Sequence, residues 1–297
     1  MLKNKKVAVF ILLGQSNAVG HGIPMSQKDI INIPLKNVFG LSRDNNQSFN
    51  NDSLKWSNYT SYGMNLAEEQ DNTYSIANCL AIDWQNHIDN GNEHDLPDLY
   101  IVQIAIGAQG VTEKYMWYPN REEVLIPGKL GKVNISLFPF SKHIFSLLDE
   151  SFKTMNTEYE IIGLHWRGGE NDLGLNSEYL KENLFDIYSK LIDTYDELLN
   201  FPPIVLHKIV CCDCMKERDG TGVQFYNLEY TNSLFDKFAR EYKNVTVFDP
   251  CDLPQYIPET RGNGLFKSDM IHFTPEVNKE ISNCILSDYI KNFKKGE

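Results

Sequence analysis

The stretch Val7-Ala8-Val9-Phe10-Ile11-Leu12-Leu13-Gly14-Gln15-Ser16-Asn17 decides the fold class. Its first seven residues are apolar without alternation, the pattern of a central parallel strand covered by helices on both faces. Gly14 breaks the run, and Ser16 then falls at the strand's carboxyl end, the edge where open α/β sheets bind their ligands. A serine hydroxyl is a weak nucleophile at its own pKa. Ser16 therefore acts only if the rest of the chain brings it a base and oxyanion donors.

Working outward, strand and helix patterns alternate along the chain. Residues 99–106, 161–166, 203–210 and 245–248 read as further strands. Residues 75–87, 141–153, 178–199, 228–242 and 276–292 carry helical periodicity, with Pro275 at a helix start and Thr274 before it as a cap. Repeated strand–helix–strand units specify a parallel sheet with right-handed crossovers. The expectation is a single α/β domain over residues 1–297, a three-layer α/β/α sandwich with a five-stranded parallel sheet in the flavodoxin-like order 2-1-3-4-5. Residues 22–72 and 108–140 show no clear period and are expected as long loops walling the site.

The bulk composition narrows the chemistry. A formal net charge of -12 over 297 residues argues against nucleic acid or an anionic membrane as partner, since both bind through clustered Lys and Arg. Lys3, Lys5 and Lys6 before an apolar run resemble a signal peptide, but Gly14-Gln15-Ser16 is no ordinary cleavage site, so the run is read as strand. Six scattered cysteines form no disulfide framework, and Cys211-x-x-Cys214 lacks a second pair for zinc. The compartment expected by default is the cytoplasm, with no metal and no cofactor.

Candidates for the missing groups stand at later strand ends. Asp269 lies three residues before His272, a spacing that lets a loop carboxylate fold back and hold the imidazole. Gly107 ends the second expected strand, where a residue without a side chain lets a backbone N–H approach a substrate. Asn171 follows the third and offers a side-chain amide as another donor. Tyr115, Trp117 and Tyr118 form an aromatic cluster in the loop after Gly107, which reads equally as local core or as part of the site.

Taken together, these blocks resemble the SGNH (GDSL-type) hydrolase superfamily. Gly14-Gln15-Ser16-Asn17 is similar to the first block of its sialate O-acetylesterase and acetylxylan-esterase branch (carbohydrate esterase family 6). Trp166-Arg167-Gly168-Gly169-Glu170-Asn171-Asp172 resembles that branch's W-x-Q-G-E-S-D block, and Asp269–His272 with Phe273 and Thr274 its D-x-x-H-F-T ending. The resemblance implies Ser16 as nucleophile, His272 as base, Asp269 as its orienter, and an oxyanion hole from Ser16, Gly107 and Asn171. It places Gln15, Asn17, Trp117 and Glu170 toward the substrate, with Glu170 also bracing its block, and implies an acetylated carbohydrate as substrate. Gly168 stands where the branch has Gln. That departure keeps open a weakly catalytic carbohydrate-binding module, beside a general small-ester esterase.

Overall fold

Side chains alternate across the sheet along β1 (Val7–Gly14), which is buried at every position. Val7, Val9, Ile11 and Leu13 enter one core, and Ala8, Phe10 and Leu12 enter the other. The first core is roofed by the helices Leu137–Ser146, Leu148–Thr154, Ser177–Leu199 and Val223–Glu241; the second by Ile76–Asp89 and Pro275–Phe293. The computed structural model describes residues 6–46, 48–91, 96–121, 136–210, 223–257, 263–269 and 271–293. The Cys211-x-x-Cys214 motif lies outside them. Among the described residues, no helix is long and apolar enough to cross a membrane.

Six further strands join β1: β2 (Val38–Leu41), β3 (Trp56–Asn58), β4 (Leu99–Ala105), β5 (Tyr159–Arg167), β6 (Ile204–His207) and β7 (Val245–Phe248). Their order is β3-β2-β4-β1-β5-β6-β7. The five expected strands keep the 2-1-3-4-5 order and pair in parallel. The sheet nevertheless has seven strands, not five, because residues 22–72 supply two more at the β4 edge. β2 continues the parallel sheet and β3 closes it antiparallel. Trp56 anchors β3: its ring meets Tyr100 edge-on at 5.0 Å and its indole N–H donates to Ser151 Oγ at 2.8 Å.

Helix ends follow local chemistry. Ser75 Oγ accepts from Asn78 N, and Asn176 Oδ1 accepts from Glu178 N and Tyr179 N, so each satisfies an orphan donor. The helix expected over 141–153 is two helices, Leu137–Ser146 and Leu148–Thr154, joined through Leu147. The first starts four residues earlier than expected, and Pro139 is tolerated there because the first turn needs no intrahelical N–H bond.

Beneath the site, the neighbouring strands β5 and β6 put two histidines in contact. His165 Nδ1 lies 2.9 Å from His207 Nε2, and both rings are buried. Burial pushes His165 down to about 3; burial, then the neighbouring His165 and Arg167, push His207 well below the ordinary imidazole value. Both rings stay neutral in the fold, while in an unfolded chain they take up protons below about pH 6.5. Stability is therefore lost as pH falls through that value, by about 1.4 kcal/mol per pH unit for each ring. Asp172 acts oppositely: burial raises its carboxyl to about 6, so the stability that its protonated form adds is lost as pH rises from 3.8 through that value. Two rings outweigh one carboxyl, and urea unfolding should give a lower midpoint at pH 5 than at pH 7. An equal or higher midpoint would contradict the neutral pair.

Candidate active site

At the end of β1 the chain turns too sharply for any residue but glycine. Gly14 has φ 144°, and an ideal Cβ there would lie 2.0 Å from the Arg167 carbonyl oxygen on β5. Gln15 N donates to that same oxygen at 3.0 Å, which starts the single helical turn Ser16–Val19. Gly20, with φ 76°, closes the turn through its N–H on Ser16 O, in a left-handed cap that suits glycine. Ser16 is thus the first residue of the turn, where backbone N–H groups have no intrahelical acceptor.

Asp269 folds back on His272 as its spacing requires. Its Oδ1 accepts from Ile271 N at 3.0 Å and His272 N at 2.9 Å, and its Oδ2 lies 2.9 Å from His272 Nδ1. Partial burial opposes ionisation, but the His272 and Ile271 donors outweigh it and hold this carboxyl well below the usual range. An ionised carboxylate only accepts, so Nδ1 carries the proton and Nε2 is left as the basic nitrogen. Lys267 steadies the loop: its Nζ donates to Gly22 O at 2.8 Å and lies 3.4 Å from Asp269 Oδ2.

Asn17 joins the serine turn to the histidine loop. Its Nδ2 donates to Glu170 Oε1 and Ile271 O, both at 3.2 Å, and its Oδ1 accepts from Phe273 N at 3.0 Å. Glu170 in turn pairs with the buried Arg167 at 2.5 Å, whose guanidinium lies 4.6 Å from the Phe273 ring centroid. The ends of β1 and β5 and the segment 271–273 are therefore tied together at one edge. Among the described residues no hydrogen bond joins Ser16 directly to the His272 ring; Asn17 makes the connection.

Several expected substrate contacts occupy other places. Trp117 is fully buried, donates its indole N–H to Gly14 O at 3.0 Å and meets Trp166 edge-on at 5.1 Å. It is local core, with no face left for a sugar. Gln15 is 2% exposed and Asn17 1%; Asn17 ties the turn to the histidine loop, while the buried Gln15 Oε1 has no hydrogen-bond partner among the described residues. Glu170 is held by Arg167 and Asn17. Gly168 has the Trp166 ring 3.2 Å from where a Cβ would sit, so a glutamine there would press on that indole.

The expected oxyanion donors divide. Gly107 does lie beside Ser16, since an ideal Cβ on it would be 3.8 Å from Ser16 Cβ. Its N–H, however, is taken by Glu68 Oε2 at 2.8 Å. Asn171 follows β5, and its carbonyl accepts from Tyr115 Oη at 3.0 Å. Asp172, beside it, is buried and pins the loop after Gly107 by accepting from Val111 N, Thr112 N and Thr112 Oγ1. Replacing Asp172 by alanine strands those donors and should cost about 3 kcal/mol in urea unfolding; a loss below about 1 kcal/mol would show that the loop has another anchor.

Two residues of this edge carried no motif. His21 packs its ring 5.2 Å from that of His272, and Glu68 reaches Gly107 from the segment before the helix Ile76–Asp89. Only their membership of the turn after Ser16 and of the expected wall 22–72 pointed to them.

No family model matches the sequence, and no curated protein matches it. Solved structures do match in shape. A protein from Arabidopsis thaliana superposes with a TM-score of 0.57 at 18% identity, over 97% of this chain and 99% of that one. NanS does so with a TM-score of 0.55 at 14% identity, over 98% and 100%. Est24, a carbohydrate acetylesterase from Sinorhizobium meliloti, has a TM-score of 0.46 at 10% identity, over 96% and 99%. The chain shares its three-layer α/β/α fold with the first two of these structures, with a seven-stranded sheet among its described residues.

Proposed function

We propose that the protein is a serine esterase that removes acetyl groups from a carbohydrate through an acetyl-enzyme. The observation that carries this reading is the Asp269–His272 pair, set by three hydrogen bonds and tied through Asn17 to the turn that bears Ser16. Ser16 attacks the acetyl carbonyl while His272 Nε2 takes its proton and Asp269 stabilises the imidazolium. The Ser16 N–H and the Asn171 amide serve the oxyanion, joined by the Gly107 N–H once Glu68 releases it. His272 then returns the proton to the leaving hydroxyl, and water attacks the acetyl-enzyme in the second half.

The carbohydrate part rests on the Gly-Gln-Ser-Asn and Asp-x-x-His-Phe-Thr blocks. The test is acetate release from 4-nitrophenyl acetate, acetylated xylan and O-acetylated sialic acid. Release from a sugar at a higher kcat/KM than from the aryl ester supports the reading; aryl hydrolysis alone would make it a general small-ester esterase. A second reading, a carbohydrate-binding module, draws on the occupied Gly107 N–H and predicts sugar binding without turnover.

A further inference from the structure

The segment 65–68 runs along the last residues of β4, beyond those paired with β2, and answers its polar groups in order. Leu66 N donates to Gln103 O at 3.0 Å, Asn65 closes both the N–H and the carbonyl of Ala105, and Glu68 takes the N–H of Gly107. Residues 103, 105 and 107 are thus met in turn. Arg43 clamps the segment from behind through Asn65 O, Glu68 O and both oxygens of Asp71. The Glu68 backbone is fixed, while its carboxylate is only part-buried and reaches the glycine beside Ser16 and His21.

A backbone N–H that holds a carboxylate oxygen at 2.8 Å is a donor aimed at negative oxygen. It can serve either Glu68 or a developing oxyanion, because two anionic oxygens at one donor repel. We propose that Glu68 gates the oxyanion hole: it holds the Gly107 N–H in the resting protein and swings away when the ester carbonyl arrives. This inference rests on the esterase reading and adds a self-supplied occupant of the site. It has a corollary for ligand class. With Glu68 in place, small free carboxylates, including the acetate product, compete for a donor already taken.

Glu68→Ala and Glu68→Gln test this. The fold is maintained by the Arg43 contacts to backbone, which neither change touches. A hydrogen bond to a charged group is worth enough that Glu68→Ala should raise Ser16-dependent kcat/KM for 4-nitrophenyl acetate about tenfold. It should also create inhibition by acetate that the wild type lacks. Glu68→Gln keeps the hydrogen bond without the charge and should fall between. In an amide ¹H–¹⁵N spectrum the Gly107 proton should move upfield in Glu68→Ala and return on adding acetate. A slower Glu68→Ala enzyme at unchanged KM, or an unmoved Gly107 amide, overturns the gate. Turnover that persists in Ser16→Ala refutes the esterase reading instead, and the amide and acetate measurements then still decide whether Glu68 fills an anion site.

Discussion

Ser16→Ala is expected to lower ester hydrolysis by at least about 10³-fold, because removing the nucleophile of a serine–histidine pair leaves only oxyanion stabilisation and binding to assist water. His272 would remain poised on Asp269, but its Nε2 would face no hydroxyl. The fold should be indifferent, with a change in stability within about 0.5 kcal/mol, since the Ser16 hydroxyl makes no hydrogen bond among the described residues. Thermal melts beside initial rates on 4-nitrophenyl acetate separate the two effects. A variant that keeps a tenth or more of wild-type turnover would remove Ser16 from the mechanism.

Gly14→Ala should be the most damaging single methyl group in the protein. The new Cβ would lie 2.0 Å from the Arg167 carbonyl oxygen and 3.1 Å from its nitrogen, both backbone atoms of the central sheet. Relief requires β1 and β5 to separate or the turn to leave φ 144°, which breaks the Gln15 N to Arg167 O bond. Strain and overpacking together should cost about 3–5 kcal/mol, or roughly 8 °C in Tm for a chain of this size. Gly91→Ala is the matched control. Its φ of 59° is also positive, though in the left-handed region that L residues can enter, and nothing lies within 4 Å of its Cβ position. That change should cost about 1 kcal/mol. Equal shifts for the two variants would show that backbone conformation, not the contact with Arg167, governs the turn.

The central sheet was readable because β1 is an unbroken apolar run buried on both faces and β4 is one but for Gln103, while β5 showed through its Ile161–Trp166 stretch although it also carries Glu160, His165 and Arg167. β2 and β3 were not readable. They are four and three residues long, β2 contains Gly40, and β3 is half-exposed. Such strands owe their existence to neighbours, here the Trp56 contacts with Tyr100 and Ser151. In the site, the Asp269–His272 hydrogen bond follows from a three-residue spacing, which is local information. Glu68 on Gly107 is separated by 39 residues and depends on how the edge of β4 is covered, which no spacing records. Trp117 shows the converse. An aromatic in an irregular segment reads alike whether it faces a sugar or the core, and only the Gly14 carbonyl below it decides.

Asn17 also joins parts of the chain that are made far apart in time. Its partners at Glu170 and Phe273 are 153 and 256 residues away along the chain. During synthesis, the strand with its serine emerges first and the imidazole almost last. β1, β4 and β5 are all made before residues 269–273, so the centre of the sheet precedes the loop that bears the proposed base. On the proposed mechanism the base is therefore translated last, and a ribosome stalled upstream of residues 269–273 would hold Ser16 without it.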